Sequence, residues 1–225
     1  MKEPADKKRK TRILIVDDHP IVREHLGQLI QQQQDLAMCG EADDLVSGMA
    51  AVRKLRPDMV IMDISLKGAY GMDLIKEIKE DFPKLPVLVL SMHDELLFAE
   101  RALRAGAKGY ITKQEATHSI LEAIRQVLRG KVYLNQKMGD VLLGKMADGQ
   151  PSTVSSPVEL LSDRELQVFQ RISKGVSPRQ IADELHLSIK TIESHCARIK
   201  DKLDLKDSNE LLQYAIQWGR SSLNQ

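Results

Sequence analysis

The stretch Met59–Gly71, MVIMDISLKGAYG, decides the fold. Val60, Ile61 and Met62 are an apolar run without alternation, which reads as a strand buried on both faces, and the run stops at the carboxylate of Asp63. An acid at a strand's carboxyl end must face solvent or a ligand, and open parallel sheets place their chemistry at that end. Three other runs stop in the same way: Ile13–Val16 on Asp17 and Asp18, Val87–Leu90 on Ser91, and Gly109–Thr112 on Lys113. Three carboxylates, a hydroxyl and a lysine from four strand ends suit a divalent cation with a phosphoryl group better than they suit a core.

Outward from these ends, short apolar runs alternate with amphipathic segments between Arg12 and Gly130, the signature of a βα repeat. Strands are expected near 12–16, 36–41, 58–62, 86–90 and 109–111, and helices near 20–33, 43–56, 71–81, 94–105 and 115–129. Right-handed crossovers make this a doubly wound, flavodoxin-like five-stranded parallel sheet in an α/β fold. Strand order 2-1-3-4-5 sets strands one and three side by side at the switch point, where Asp17, Asp18 and Asp63 would converge.

A further helix fits residues 131–146, and then the stretch Asp148–Pro157, DGQPSTVSSP, is nearly free of apolar residues and reads as a linker. Beyond it, capping boxes at Ser162/Glu165 and Ser177/Gln180, with Pro178 at the first helical position, start two helices. Ser188 caps a third running to about Leu203, and a fourth spans Ser208 to Trp218. Between the second and third only His186 and Leu187 remain, which implies a sharp helix-turn-helix in a smaller all-α domain. The expected organisation is therefore 12–130, a connection over 131–157, and 158–220.

Charge narrows the partners. Lys plus Arg (33) nearly balances Asp plus Glu (32), and residues 155–225 carry 10 of each sign, so any DNA-binding surface is a local patch. Residues 1–12 carry a net +4, read as a solvated basic tail. Cys39 and Cys196 stand alone, without metal-ligand spacing, and suggest a reducing, cytoplasmic setting. No apolar run approaches the roughly 18 to 20 residues of a membrane span. No GxGxxG follows the first strand, which argues against a dinucleotide site.

The acids define a reaction. Mg²⁺ takes one or two carboxylates and completes its octahedral shell with water and phosphate oxygens, a demand that Asp17, Asp18 and Asp63 meet. Asp63 could then attack an activated phosphoryl group, with Lys113 as the opposing charge and Ser91 as a hydrogen-bond donor. Asp18 could equally be a simple helix cap.

The same residues carry a resemblance. ILIVDDHP (Ile13–Pro20), IMDISLKGAYG (Ile61–Gly71), LVLSMHD (Leu88–Asp94) and GYITK (Gly109–Lys113) resemble the receiver domain of two-component response regulators. The resemblance implies phosphorylation of Asp63 by a partner histidine kinase or small phosphodonor. It implies Mg²⁺ held by Asp18, Asp63 and the Ser65 backbone carbonyl, with Asp17 acting through water, and a switch pair of Ser91 and Tyr110. Most receivers have proline where this chain has Lys67, which bears on the lifetime of the acyl phosphate.

In the second half, the helix SIKTIESHCARIKDKL (Ser188–Leu203) should bury Ile189, Ile192, Ile199 and Leu203. Lys190, Thr191, Ser194, Arg198, Lys200 and Lys202 would lie mostly on its other faces. With LSDRE (Leu161–Glu165) and GVSPRQIADELHL (Gly175–Leu187), this helix resembles the LuxR-type DNA-binding domain of NarL/FixJ response regulators. By that resemblance Lys190 and Thr191 contact phosphate, while Glu193, Ser194 and Ala197 face bases of double-stranded DNA. Many members carry lysine at the place of Glu193. The last helix, with Leu211, Leu212, Ala215, Ile216 and Trp218, would lie at a homodimer contact.

The expected function is a phosphorylation-regulated transcription regulator, not an enzyme in its own right. A DNA-binding regulator worked by receiver contacts alone is one alternative, which the intact acid and lysine set opposes. An aspartate-nucleophile phosphotransferase is another. It would want a second Asp two residues after the nucleophile, where Ser65 stands, and it leaves the C-terminal helices unexplained.

Overall fold

A computed structural model of the chain describes residues 9–66, 71–92, 96–147 and 157–222. These fall into two compact units, the chain dividing between Gly139 and Asp140. The first is a five-stranded parallel sheet in the order β2-β1-β3-β4-β5. Its strands are β1 (Thr11–Val16), β2 (Leu36–Ala42), β3 (Met59–Asp63), β4 (Val87–Ser91) and β5 (Gly109–Thr112). Between and after them run α1 (Pro20–Gln31), α2 (Leu45–Leu55), α3 (Gly71–Asp81), α4 (Leu96–Ala105) and α5 (Lys113–Leu128).

Both-face burial holds for the central strands, because every residue of β3 and of β4 is buried. On one face Ile13, Ile15, Ile61, Leu88 and Ile111 pack with Leu26 and Ile30 of α1 and Ile120 and Ile124 of α5. On the other, Gly48 of α2 fits between Val16 and Leu74 of α3, where an added Cβ would meet each at 3.2 Å. Register carries the strand ends to one level. Val16 pairs with Met62, Asp63 with Leu90, and Ser91 with Thr112.

Helix starts follow local chemistry. Asp44 caps α2 through a capping box with Ser47, and Thr112 caps α5 through one with Glu115. That second box moves the start of α5 to Lys113, two residues earlier than its apolar periodicity suggests. The expected helix over 131–146 is shorter in the structure: α6 spans Gln136–Ala147. Before it, Tyr133 continues the sheet beside β5, donating its N–H to Lys108 O at 3.1 Å and accepting from Tyr110 N at 2.9 Å. Pairing with the free edge of β5 satisfies backbone groups that a helical pattern assigns to local bonds. Glu115 then ties this segment to α5, accepting from Asn135 Nδ2 at 2.7 Å, while Asn135 Oδ1 accepts from Met138 N at the start of α6.

Lys67 and linker residues 148–156 lie outside the described residues. The second unit holds a 3-10 turn at Pro157–Leu160, then α7 (Asp163–Ser173), α8 (Pro178–Glu184), α9 (Ile189–Leu203) and α10 (Ser208–Ser222). Capping boxes at Ser162 and Ser177 and the Ser188 cap are all formed. The turn between α8 and α9 passes through His186 at φ 51°, with Leu187 N returning to Ala182 O at 2.9 Å. Val158, Leu166, Phe169, Ile181, Ile192, Ile199 and Ala215 are buried and form this unit's core. Ile189 is not part of it. At 47% exposure it stands at the first residue of α9, three residues before Ile192, the first buried position of that helix.

Candidate functional site

At the carboxyl rim of the sheet, Lys113 sits between two acids. Its Nζ lies 2.7 Å from Asp63 Oδ2 and 2.8 Å from Asp17 Oδ2, with Asp17 and Asp63 each 1% exposed. The other oxygen of Asp63 accepts from Ser65 N at 2.8 Å, so the loop after β3 turns on the acid itself. Gly71 closes that loop, donating to Ile64 O at 2.9 Å. A Cβ there would come within 2.6 Å of Ile64 Cα and 2.7 Å of Asp63 O, so the backbone admits no side chain.

Asp18 is not the cap of α1. That position belongs to His19, which makes no side-chain cap bond, with Pro20 inside the helix. His19 is a site residue that the sequence did not disclose. Its Nδ1 lies 2.7 Å from Asp18 Oδ1 and 3.1 Å from Asp17 Oδ1, and its N–H donates to Asp17 Oδ1 at 2.8 Å. A His after paired acids looks like ordinary helix-start sequence, and only the folded turn brings its ring over both carboxylates.

Asp17, Asp18, His19 and Asp63 offer ligand atoms that all lie within 4.8 Å of one another. Asp17 Oδ2 and Asp18 Oδ1 are buried with no hydrogen-bond partner, although Lys113 and His19 stand within ion-pair distance of them. Close approach without hydrogen-bond geometry leaves lone pairs unsatisfied, and buried oxygens in that state suit a hard cation. The cluster could therefore hold a metal ion. Burial first, and the charge of Asp17, push the Asp63 carboxyl above its ordinary range against the pull of Lys113. For Lys113 burial works toward the neutral form, but the two carboxylates outweigh it and hold the ammonium above its usual range.

Ser91, at the end of β4, and Tyr110, in β5, are both fully buried. The structure thus brings together Asp17, Asp18, Asp63 and Lys113, with Ser91 at the next strand end and Tyr110 in the core behind it.

In the second unit α9 presents Lys190, Glu193, Ser194, Ala197 and Arg198 as exposed, with Thr191 and Lys200 half-buried. Ser188 and Thr191 join their hydroxyls at 2.8 Å at the helix start. Lys202 also has a structural partner. Its Nζ donates to Glu165 Oε2 at 2.7 Å and to Leu160 O at 3.2 Å, which pins α9 to the start of α7 and leaves one of its three hydrogens. In α10, Leu211 and Ala215 are buried, and the Trp218 ring lies 5.3 Å from that of Phe169. Those residues close the core, and Leu212, 40% exposed, is left on the surface. Among the described residues no helix is long and apolar enough to cross a membrane.

Comparisons with known proteins match this two-part geometry. Residues 13–125 match the response regulator receiver domain, and residues 159–215 match the luxR family of bacterial regulatory proteins. The oxygen regulatory protein NreC of Staphylococcus carnosus is 36% identical over 91% of this chain and 96% of its own length. That of Staphylococcus haemolyticus is 35% identical over the same shares. Among solved structures, RcsB from Salmonella enterica serovar Typhimurium, bound to promoter rprA in the presence of the phosphomimetic BeF3−, aligns with a TM-score of 0.61. It is 28% identical, covering 92% of this chain and 98% of that one. A LuxR-family two-component response regulator from Aurantimonas aligns at 0.58, with 32% identity over 62% of this chain and 99% of its own. The chain belongs to the two-component response regulators of NarL/FixJ type, phosphorylation-regulated transcription regulators that join a receiver to a LuxR-type DNA-binding domain.

Proposed function

We propose that Asp63 is the phosphoacceptor and that Asp17, Asp18, Asp63 and the Ser65 backbone carbonyl hold Mg²⁺. The observation that supports this most is Lys113 Nζ bridging Asp63 Oδ2 and Asp17 Oδ2 at 2.7 and 2.8 Å, beside buried oxygens that lack hydrogen bonds. Mg²⁺, when bound, supplies charge neutralisation for the incoming phosphoryl oxygens. An Asp63 carboxylate oxygen forms the new bond to phosphorus as the donor's own bond to phosphorus breaks and the donor leaves with the electron pair. Lys113 passes from Asp63 to a phosphoryl oxygen, and the Ser91 hydroxyl donates to another. Tyr110, buried behind them, is the aromatic partner of Ser91 in the switch. The receiver thus assists its own phosphorylation and dephosphorylation and has no other substrate. The donor is a sensor histidine kinase or a small acyl phosphate.

The outcome is a shift between two packings of the receiver that sets DNA binding by the second unit. We assign the receiver to 12–130, the connection to 131–157 and the DNA-binding domain to 158–220. On DNA, Lys190 and Thr191 contact phosphate with help from Arg198, Lys200 and Lys202, while Glu193, Ser194 and Ala197 face the bases. The active form is a homodimer on two half-sites, with exposed Leu212 of α10 at the contact. A DNA target and two free cysteines, Cys39 and Cys196, support a cytoplasmic location.

The direct test is incubation with a small acyl phosphate and Mg²⁺, followed by intact-mass measurement and peptide mapping. One phosphoryl group on Asp63 is expected, and none when Mg²⁺ is chelated before the donor is added. Modification elsewhere, or none, refutes the assignment.

Glu193 sets a second prediction. A carboxylate cannot pair with guanine O6 and N7 as lysine does, but it accepts from cytosine N4. Glu193→Lys, a change of two units of charge, is expected to change the selected DNA motif more than it changes nonspecific affinity. Binding-site selection checks this, and an identical motif from both proteins would rule it out.

A further inference from the structure

The opposite rim of the receiver sheet carries a second charged site. Thr11, Asp58, Pro86 and Lys108 stand at the amino-terminal ends of β1, β3, β4 and β5, and they line one groove of about 670 Å³. Its cations are Arg9, Lys10, Lys79, Lys84 and Lys108, and among the described residues its one carboxylate is Asp58. Asp58 is already committed. It accepts from the Arg12 backbone N–H at 2.8 Å and pairs with Arg9 at 3.4 Å. The groove therefore concentrates positive charge with little internal compensation, and such a concavity attracts anions.

Lys79 is a fixed donor in this groove, not a loose surface side chain. Its Nζ donates to Leu85 O at 2.8 Å and to Pro83 O at 3.3 Å, so two of its three hydrogens are used and one remains for a ligand. Its stem lies against Gly106, where an added Cβ would stand 2.5 Å from Lys79 Cγ and where φ is +111°. Any other residue at position 106 would displace the lysine. Burial, and then the charge of neighbouring Lys108, pull the Lys79 ammonium below its ordinary range.

The remaining wall is apolar: Pro83, Pro86, Val127 and Leu128. The volume lies in the range of small-molecule sites, roughly 300 to 1,000 Å³. A ligand that matches both walls carries several negative charges at one end and a flat, weakly polar body at the other. We propose that this groove binds a nucleoside di- or triphosphate, its phosphates among Lys79, Lys84, Lys108 and the Arg9–Lys10 pair and its base on the proline and leucine wall. The phosphoacceptor chemistry uses none of these residues, so this site stands or falls separately from it.

The test is calorimetric titration of the full-length protein with ATP in the presence of a chelator, which keeps the acidic cluster out of the binding. Saturable one-to-one binding tighter than roughly millimolar is expected. Lys79→Ala/Lys108→Ala should weaken it about tenfold or more, and Arg53→Ala, on the exposed face of α2, should not change it. Lys84→Ala/Lys108→Ala removes only exposed side chains, and it should weaken binding in the same direction with the fold intact. Tripolyphosphate, which lacks the base, should bind several-fold more weakly than ATP. Absence of saturable binding, indifference of both double variants, or equal affinity for tripolyphosphate would each overturn the proposal.

Discussion

Lys113→Ala is expected to lower receiver stability by about 3–5 kcal/mol without divalent cation, and to slow phosphoryl transfer to Asp63 by about two orders of magnitude. Asp17 and Asp63 are each 1% exposed, and Lys113 is the ammonium between them. Removing it leaves two buried carboxylates facing one another, a situation in which one must take up a proton or the fold must open. Divalent cation supplies the missing charge, so Mg²⁺ should raise the melting temperature of Lys113→Ala by more than it raises that of wild type. Thermal unfolding with and without Mg²⁺ checks the first part and timed uptake from an acyl phosphate the second. Equal melting temperatures for the two proteins in chelator would show that the bridge carries no stability.

The second large effect falls in the DNA-binding unit. Glu165, 3% exposed, accepts from Ser162 N at 2.7 Å, completing the capping box of α7, and from Lys202 Nζ at 2.7 Å, fastening α9 to α7. Glu165→Ala removes a cap and a charge-assisted bond together, and it should cost about 2–3 kcal/mol, with Lys202 free to turn to solvent. Its pH dependence has a definite sign. Burial raises the Glu165 carboxyl, but Lys202 and the Ser162 N–H outweigh it and hold it below the ordinary range. A carboxyl lowered on folding stabilises above its unfolded value, about 4.3, and that contribution is lost as pH falls through the folded value. Denaturant unfolding at neutral pH should separate wild type from Glu165→Ala, and the gap should close in acid. A gap that stays constant with pH would mean that the carboxylate's charge is not what stabilises.

These two contacts also show how far residues alone carried the structure. Asp17, Asp63, Ser91 and Lys113 were legible because each ends an apolar run, and parallel register brings run ends to one level. The order 2-1-3-4-5 followed from the same logic. His19 was not legible, since its role depends on the turn that folds its ring over Asp17 and Asp18. The bond from Lys202 to Glu165 was not legible for a different reason. Helical spacing places a side chain on its own helix but says nothing of a partner 37 residues earlier in α7. Residues 131–135 misled likewise, because pairing with the edge of β5 outweighed a helical pattern. In α10 the same spacing could not say which apolar residues close the core, as Leu211 and Ala215 do, and which stay outside, as Leu212 does.

The carboxyl-rim acids and α9 belong to different compact units, so control of DNA binding by Asp63 requires coupling between them. Selection of DNA fragments with and without acyl phosphate and Mg²⁺, run in parallel on wild type and Asp63→Ala, measures that coupling directly. Wild type is expected to enrich one two-half-site motif, with affinity rising on addition of the donor, while Asp63→Ala binds the same motif indifferent to it. A donor response that survives in Asp63→Ala, or wild-type binding that the donor leaves unchanged, would contradict phosphorylation at Asp63 as the control of DNA binding.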